Sequence, residues 1–228
     1  MSQPQSERLQ LNMQNSRVEE YRALLADKAA YLALKRLIDI VVSFGLICLL
    51  LPVLLITAAA VGLTSPGGVF FLQRRVGKDG RIFRIIKFRT MVSRAPELGG
   101  EITVGDDDRI TPVGRVLRRF RFDELPQFVN VLKGDMSIIG PRPEVESYVN
   151  QYGDDALATL LVRPGLSCNS SLHFANEAEL LEGQDDPDKY YVNVIMPEKA
   201  AMNLDYIRAL SFKEDCRIFF ATIAGVFK

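Results

Sequence analysis

The chain has 228 residues with 28 basic and 28 acidic side chains, one histidine, no net formal charge and 48% hydrophobic residues. That length holds one compact domain plus a membrane segment, and the balanced charge argues against a general nucleic-acid-binding protein. The balance is uneven along the chain, because residues 74–142 carry 15 basic and 9 acidic side chains whereas residues 143–228 carry 7 and 14. A positive middle suits an anionic membrane face or a phosphorylated substrate, and composition does not separate the two. Cys48, Cys168 and Cys216 show no close pairing and no C-x-x-C spacing, which points to a reduced cytosolic compartment without a zinc site. His173, the sole histidine, is taken as structural rather than as part of a Ser-His-Asp or Cys-His arrangement.

In chain order, residues 1–16 are polar, lack the basic-then-apolar order of a secretory signal, and are expected to form a disordered arm. Ser16 and Glu19 form a capping-box pattern, so a helix is expected from about residue 17, with Val18, Tyr21, Leu24 and Leu25 at helical spacing. It leads into Ile40 to Leu63, 24 residues without a charge and long enough to span a bilayer core. Pro52 breaks that run by removing a backbone hydrogen bond. Basic residues flank it on both sides, Lys35 and Arg36 before it and Arg74, Arg75, Lys78, Arg81 and Arg84 after it, which suggests that both ends stay in the cytoplasm. The segment 17–66 is therefore expected to be an amphipathic helix leading into a re-entrant membrane hairpin broken at Pro52. A spanning helix and a buried core helix are the alternatives. Asp39, one turn after Arg36, is expected to pair with it.

Residues 67–228 are expected to form a cytoplasmic catalytic domain. Val69–Gln73 and Arg81–Phe88 are expected to be strands, joined by the hairpin signal Lys78-Asp79-Gly80. Residues 93–109, rich in Gly and Asp, are expected to be a loop over the site. Thr111-Pro112 has the form of an N-cap with proline at the first helical position, opening a helix whose apolar face is Val113, Val116, Leu117 and Phe120. Arg115, Arg118, Arg119 and Arg121 lie largely elsewhere on it, with no acidic residue between Arg109 and Asp123. A phosphate is the favoured counter-anion, and a solvated helix face is the ordinary alternative. Asp123 and Glu124 follow at once. Asp123 suits an N-cap for a helix ended by Gly134 as well as it suits catalysis, and a helix N-terminus there would keep it ionised. Gly140-Pro141-Arg142-Pro143 fixes one guanidinium between two prolines, a geometry suited to a phosphate clamp. The C-terminal part, with Tyr206, Ile207, Leu210, Phe212, Ile218, Phe219 and Phe220, forms amphipathic helices that pack on the domain or lie on the membrane. The fold class expected is α+β, a mainly helical small domain with a short β-hairpin, anchored by the N-terminal re-entrant helix hairpin.

Four motifs, Lys87-Phe88-Arg89-Thr90-Met91, Asp123-Glu124-Leu125-Pro126-Gln127, Asn130 to Ser137, and Gly140-Pro141-Arg142-Pro143, occur in an order and spacing that resemble the monotopic phosphoglycosyl transferases, or bacterial sugar transferases. The resemblance runs from about Lys35 to Lys228. It implies transfer of a sugar-1-phosphate from a UDP-sugar to polyprenyl phosphate, with release of UMP, at the cytoplasmic face of the bacterial inner membrane. By the resemblance Asp123 is the nucleophile that forms an aspartyl-phosphosugar intermediate and Glu124 is a magnesium ligand, with Mg2+ as cofactor. Lys87, Arg89, Arg118 and Arg142 fall at phosphate- and substrate-binding positions, and Pro52 at the hairpin break. The implied partners are the UDP-sugar, polyprenyl phosphate and membrane lipids, without nucleic acid; a homodimer is left open. The chain departs from the family pattern at Leu51, where many relatives have serine, and over Leu166–Phe174, a segment that plausibly faces the sugar. Two other readings remain: a glycosyltransferase that releases UDP, and a non-enzymatic membrane-surface adaptor. No P-loop and no Gly-x-Gly-x-x-Gly opens a helix, so an ATP-dependent kinase and a dinucleotide oxidoreductase are disfavoured.

Overall fold

The computed structural model describes residues 9, 10, 12–95 and 107–226. Most of the expected arm and most of the expected loop over 93–109 lie outside the described residues. The described end of the arm departs from expectation. Leu9 and Met13 are buried in the main core. Leu9 also lies close under Gly80, whose φ of +72° belongs to the hairpin turn. Apolar burial here outweighs the polar average of the segment.

Helix α1, Ser16–Asp27, is capped one residue earlier than the Ser16–Glu19 pattern implies, because Asn15 accepts from Val18 N at 2.8 Å. Asn caps as well as Ser, and it holds the extended backbone that a cap requires. Val18, Tyr21 and Leu25 form the buried face. After Lys28 the chain continues into α2, Ala29–Thr64, 36 residues with Pro52 inside and long and apolar enough to cross a membrane. Leu49, Leu55 and Ile56, around its middle, are exposed.

Both ends of α2 are bound to the rest of the protein. Near its start Arg36 donates to Val131 O and Leu132 O at 2.6 and 2.9 Å, and Lys35 meets Asp215 at 2.6 Å. Asp39 does not pair with Arg36 as expected; it accepts from Ser137 Oγ at 2.7 Å and from Ile138 N at 3.1 Å. Donors aimed at one buried carboxylate satisfy it better than a guanidinium already spent on helix carbonyls. Near its end Val61 is buried with Phe88 and Leu117, flanked by Leu54 and Ala58.

Strands β1, Phe70–Val76, and β2, Ile82–Phe88, form the expected hairpin in antiparallel register, with Arg74 opposite Arg84. Asp79 and Gly80 both have positive φ in its turn, which explains the Lys78-Asp79-Gly80 signal. Helix α3 is Pro112–Arg119 and helix α4 is Gln127–Lys133. A second two-stranded sheet was not expected: β3, Ser137–Ile139, pairs in parallel with β4, Gly165–Ser167. Short helical turns fill residues 146–161, and α5, Asn169–His173, follows β4. The chain closes with α6, Met196–Ala209, and α7, Phe212–Val226. Leu204, Tyr206, Ile207 and Ile218 from these helices and Leu210 between them enter the main core, so the C-terminal helices pack on the domain. Mostly helical α+β is thus the architecture, with small sheets and one long apolar helix near the N-terminus.

The β3–β4 approach depends on glycine. A Cβ on Gly165 would collide with the nitrogen, oxygen and Cα of Gly140. Gly165→Ala should lower stability by about 1–3 kcal/mol through overpacking of backbone on backbone, read as a fall in the midpoint of thermal unfolding; an unchanged midpoint would show that the two segments can separate freely.

Candidate active site

The site is built from three segments that meet at one carboxylate. The first is the stretch between α3 and α4. Thr111 caps α3, accepting from Gly114 N at 2.9 Å, with Pro112 opening the helix as the sequence predicts. Gly114 has no room for a side chain against Thr90, so α3 lies directly on the end of β2. From there Arg118 reaches Thr90 Oγ1 with its Nε at 2.9 Å. Arg121 then takes the left-handed conformation, with φ of 55°, which is rare for a residue with a side chain. This pivot feeds a 3-10 turn, Phe122–Glu124, that turns both carboxylates inward, leaving Asp123 8% and Glu124 9% exposed. Non-glycine residues in this region cost conformational energy and cluster at functional sites.

The helix that follows starts at Gln127, with Pro126 at its cap and no side-chain capping bond. Asp123 is therefore not its N-cap. Nor is Asp123 held ionised by a helix N-terminus: burial, and then the charge of Glu124, push its carboxyl above the usual value, while Lys87 and Arg118 pull it back. Gly134 ends α4 in the left-handed conformation, as expected.

The second segment is β2, which carries Lys87. Asn130 of α4 fixes this strand by accepting from Ile86 N at 3.0 Å and donating to Arg84 O at 2.8 Å. The third is the loop after β3. Pro141 O accepts from Gly165 N at 2.8 Å and Pro143 O accepts from Arg75 Nη1 at 3.0 Å, so Arg142 is held on both sides. Val76 N adds a bond to Glu144 O at 2.9 Å.

Lys87 Nζ and Arg142 Nη2 both donate to Glu124 Oε1, at 2.8 and 2.7 Å, while Arg121 Nη1 stands 4.0 Å from Oε2. Burial pushes the Glu124 carboxyl up, but the charges of Arg142 and then Lys87 outweigh it and hold the group well below the usual carboxylate range. Burial pulls the Lys87 ammonium down against the attraction of Glu124. The structure thus groups Asp123, Glu124, Lys87 and Arg142, with Arg118 near enough to Asp123 to act on its charge. Arg89 goes elsewhere: its Nη2 donates to Ser65 O at 2.6 Å and its Nη1 to Ser93 Oγ at 3.4 Å, which ties down the end of α2. Pro52 lies on exposed helix. His173 is a surface residue 3.4 Å from Glu198. Asn130, Arg75 and Thr90 were not singled out by the sequence as supports; Asn130 and Thr90 were signalled only by their place inside the motifs, and Arg75 only as a basic residue after the apolar run.

Two adjacent carboxylates bear on magnesium. Among the described residues no group of three or more His, Cys, Asp or Glu could cage a metal. Asp123 and Glu124 instead fit an ion that takes one or two carboxylates and completes its shell with substrate phosphates, the usual habit of Mg2+.

A family model described as bacterial sugar transferase matches residues 30–228. The chain belongs to the bacterial sugar transferase family. Among its relatives, it is 43% identical over 167 residues to the UDP-N-acetylgalactosamine-undecaprenyl-phosphate N-acetylgalactosaminephosphotransferase of Aeromonas hydrophila, covering 71% of this chain and 40% of that protein. It is 37% identical over 197 residues to the UDP-glucose:undecaprenyl-phosphate glucose-1-phosphate transferase of Caulobacter vibrioides, covering 84% of this chain and 69% of that one. The Escherichia coli protein of the same name is 37% identical over 194 residues, which are 83% of this chain and 39% of its own length. This sugar transferase chain therefore spans about two fifths of the Aeromonas and Escherichia relatives.

Glu124 holds two cations together in this transferase. Glu124→Ala should destabilise the ligand-free protein by roughly 3 kcal/mol, the low end for breaking a buried ion pair, since the Arg142 side chain is 32% exposed. The check is chemical denaturation of both proteins, and equal midpoints would mean that Lys87 and Arg142 find solvent without cost.

Proposed function

We propose that the protein transfers a sugar-1-phosphate from a UDP-sugar to a polyprenyl phosphate in the membrane, releasing UMP and initiating synthesis of a membrane-linked glycoconjugate. The observation that carries the reading is the buried Asp123–Glu124 pair with Lys87 and Arg142 on one of its oxygens, in a chain that belongs to the bacterial sugar transferases. The names of its relatives, which specify UDP-sugars and undecaprenyl phosphate, support the same substrate classes.

In the proposed mechanism an Asp123 carboxylate oxygen attacks the sugar-bearing phosphorus. The bond from that phosphorus to the oxygen bridging to UMP breaks, and UMP leaves with the electron pair. An oxygen of polyprenyl phosphate then attacks the same phosphorus, the bond to Asp123 breaks, and the carboxylate is restored. This is covalent catalysis with ping-pong order. Lys87, Arg118 and Arg142 bind the phosphates, since an anionic nucleophile meets an anionic substrate only where fixed cations offset the repulsion. The placement of Arg89 gives it an indirect part, holding the membrane helix to the domain. A bound Mg2+ would be held by Glu124, with Asp123 adjacent, and would supply charge neutralisation to the diphosphate.

The topology proposed is a re-entrant helix at the cytoplasmic face. In a straight crossing, Asp39 and Val61 would stand about 33 Å apart along the axis, more than a hydrocarbon core of about 30 Å. Asp39 nevertheless bonds to β3, and Val61 packs with Phe88 of β2 and Leu117 of α3. A helix that bends at Pro52 and returns lets one domain on one side hold both ends. A polyprenyl phosphate keeps its head at the interface and its tail in lipid, so a site held at that depth meets the phosphate without extracting the tail.

The decisive experiment is nucleotide release from a panel of UDP-sugars, with magnesium and polyprenyl phosphate, comparing wild type with Asp123→Asn. The expected product is UMP, with turnover and the covalent intermediate both lost in the variant; UDP as product would replace the reading by simple glycosyl transfer. For the topology, a cysteine placed at Gly68, with Cys48 and Cys216 replaced, should react only from the cytoplasmic side, and Pro52→Ala should open it to reagent from the other side. One-sided labelling that survives Pro52→Ala would remove Pro52 as the determinant.

A further inference from the structure

Among the described residues, the buried side-chain atoms without a hydrogen-bond partner are Tyr21 Oη, Ser43 Oγ, Arg89 Nε and Gln127 Nε2. Gln127 is set apart by position, one turn beyond Asp123 and Glu124 and 1% exposed. The backbone there is wound tightly: Glu124 N bonds to Arg121 O, Leu125 N to Phe122 O, Phe128 N to Leu125 O and Val129 N to Pro126 O, each spanning three residues. Side chains three apart are neighbours on one face in 3-10 and α winding alike, which puts Gln127 beside Glu124 along the turn, and both are buried. A buried amide donor without a partner lowers stability, so its retention calls for an explanation, and a role in the working site is one.

The resting contacts of Glu124 indicate that partner. Its Oε1 takes both Lys87 and Arg142. A diphosphate, with more charge than one carboxylate, competes for those two cations. As they turn toward it, Glu124 Oε1 loses both of its donors; a Mg2+ held by this carboxylate would occupy the other oxygen, so Oε1 is left buried and short of a donor, which is unfavourable for an ionised group. We propose that Gln127 is a positioning residue whose Nε2–H group donates to the Glu124 carboxylate when Lys87 and Arg142 engage the diphosphate of the donor substrate, keeping the Asp123–Glu124 turn in place for attack. The inference rests on the phosphoglycosyl-transfer reading above.

The test is Gln127→Met, which keeps length and volume and removes the donor, assayed for UMP release and for thermal unfolding without substrate. Expected is a fall in kcat of about tenfold to a hundredfold, the worth of one hydrogen bond to a charged group, with KM within about threefold of wild type. The unfolding midpoint should hold or rise, because the substitution removes an unpartnered polar group from the interior. A purely structural amide would give the opposite pattern. Hence kcat within about twofold of wild type, or a lowered midpoint in both Gln127→Met and Gln127→Leu, overturns the proposal. Absence of Asp123-dependent UMP release from the wild type would instead bring down the parent reading and this inference with it, so the two failures are told apart by the wild-type assay.

Discussion

One oxygen atom organises the candidate active site of this protein. Glu124 Oε1 accepts from Lys87 on β2 and from Arg142 on the loop after β3, and so ties three segments of the chain together. The surrounding backbone holds the segments that carry both cations. Asn130 fixes β2, while Gly165, Arg75 and Val76 fix the carbonyls on either side of Arg142. Preorganised cations around a carboxylate are also what a phosphate-transferring site needs, because charge can then be stabilised without reorganising side chains at the moment of reaction.

The same elements that hold the carboxylates also hold the long apolar helix. Arg36 binds the last carbonyls of α4, Arg163 adds a bond to Gly134 O at 3.0 Å, and Asp39 binds the first residues of β3. Two guanidinium groups at the C-terminus of α4 complement both its unpaired carbonyls and its dipole. At the other end Arg89 binds Ser65 O. Asp215 draws Tyr31, Lys35 and Tyr206 together at 2.6 to 2.7 Å, so α7 is joined to the start of α2 as well.

Local features of this fold were legible in the sequence. Thr111-Pro112, Lys78-Asp79-Gly80 and Gly134 signal their turns because each acts through its own backbone. Non-local ones were not. Strands of three residues such as β3 and β4 carry no alternation to detect, and the partners of Asp39 lie about a hundred residues away. Of the two roles the sequence left open for Asp123, the cap is absent for a specific reason: the left-handed Arg121 starts a 3-10 turn and delays the helix to Gln127. In the site, the resemblance pointed to Asp123, Glu124, Lys87 and Arg142 together, and the chain brings them together. The direction of Arg89 could not be foreseen, since its target, Ser65 O, is a backbone carbonyl that any residue type would present.

The docking of α2 at both ends bears on modularity. Cutting the chain after Thr64 would strip Phe88 and Leu117 of their Val61 contact, take Asp39 from the Ser137 hydroxyl and the Ile138 amide, and leave Asp215 without its ammonium partner. The long apolar helix and the rest of the protein are therefore a single folding unit rather than a tether and its cargo. Solubility cannot be gained by amputation, and any amphiphile used to extract the protein must accommodate the helix in its folded place. Both ends of the apolar helix are pieces of the interior, whatever surrounds its middle.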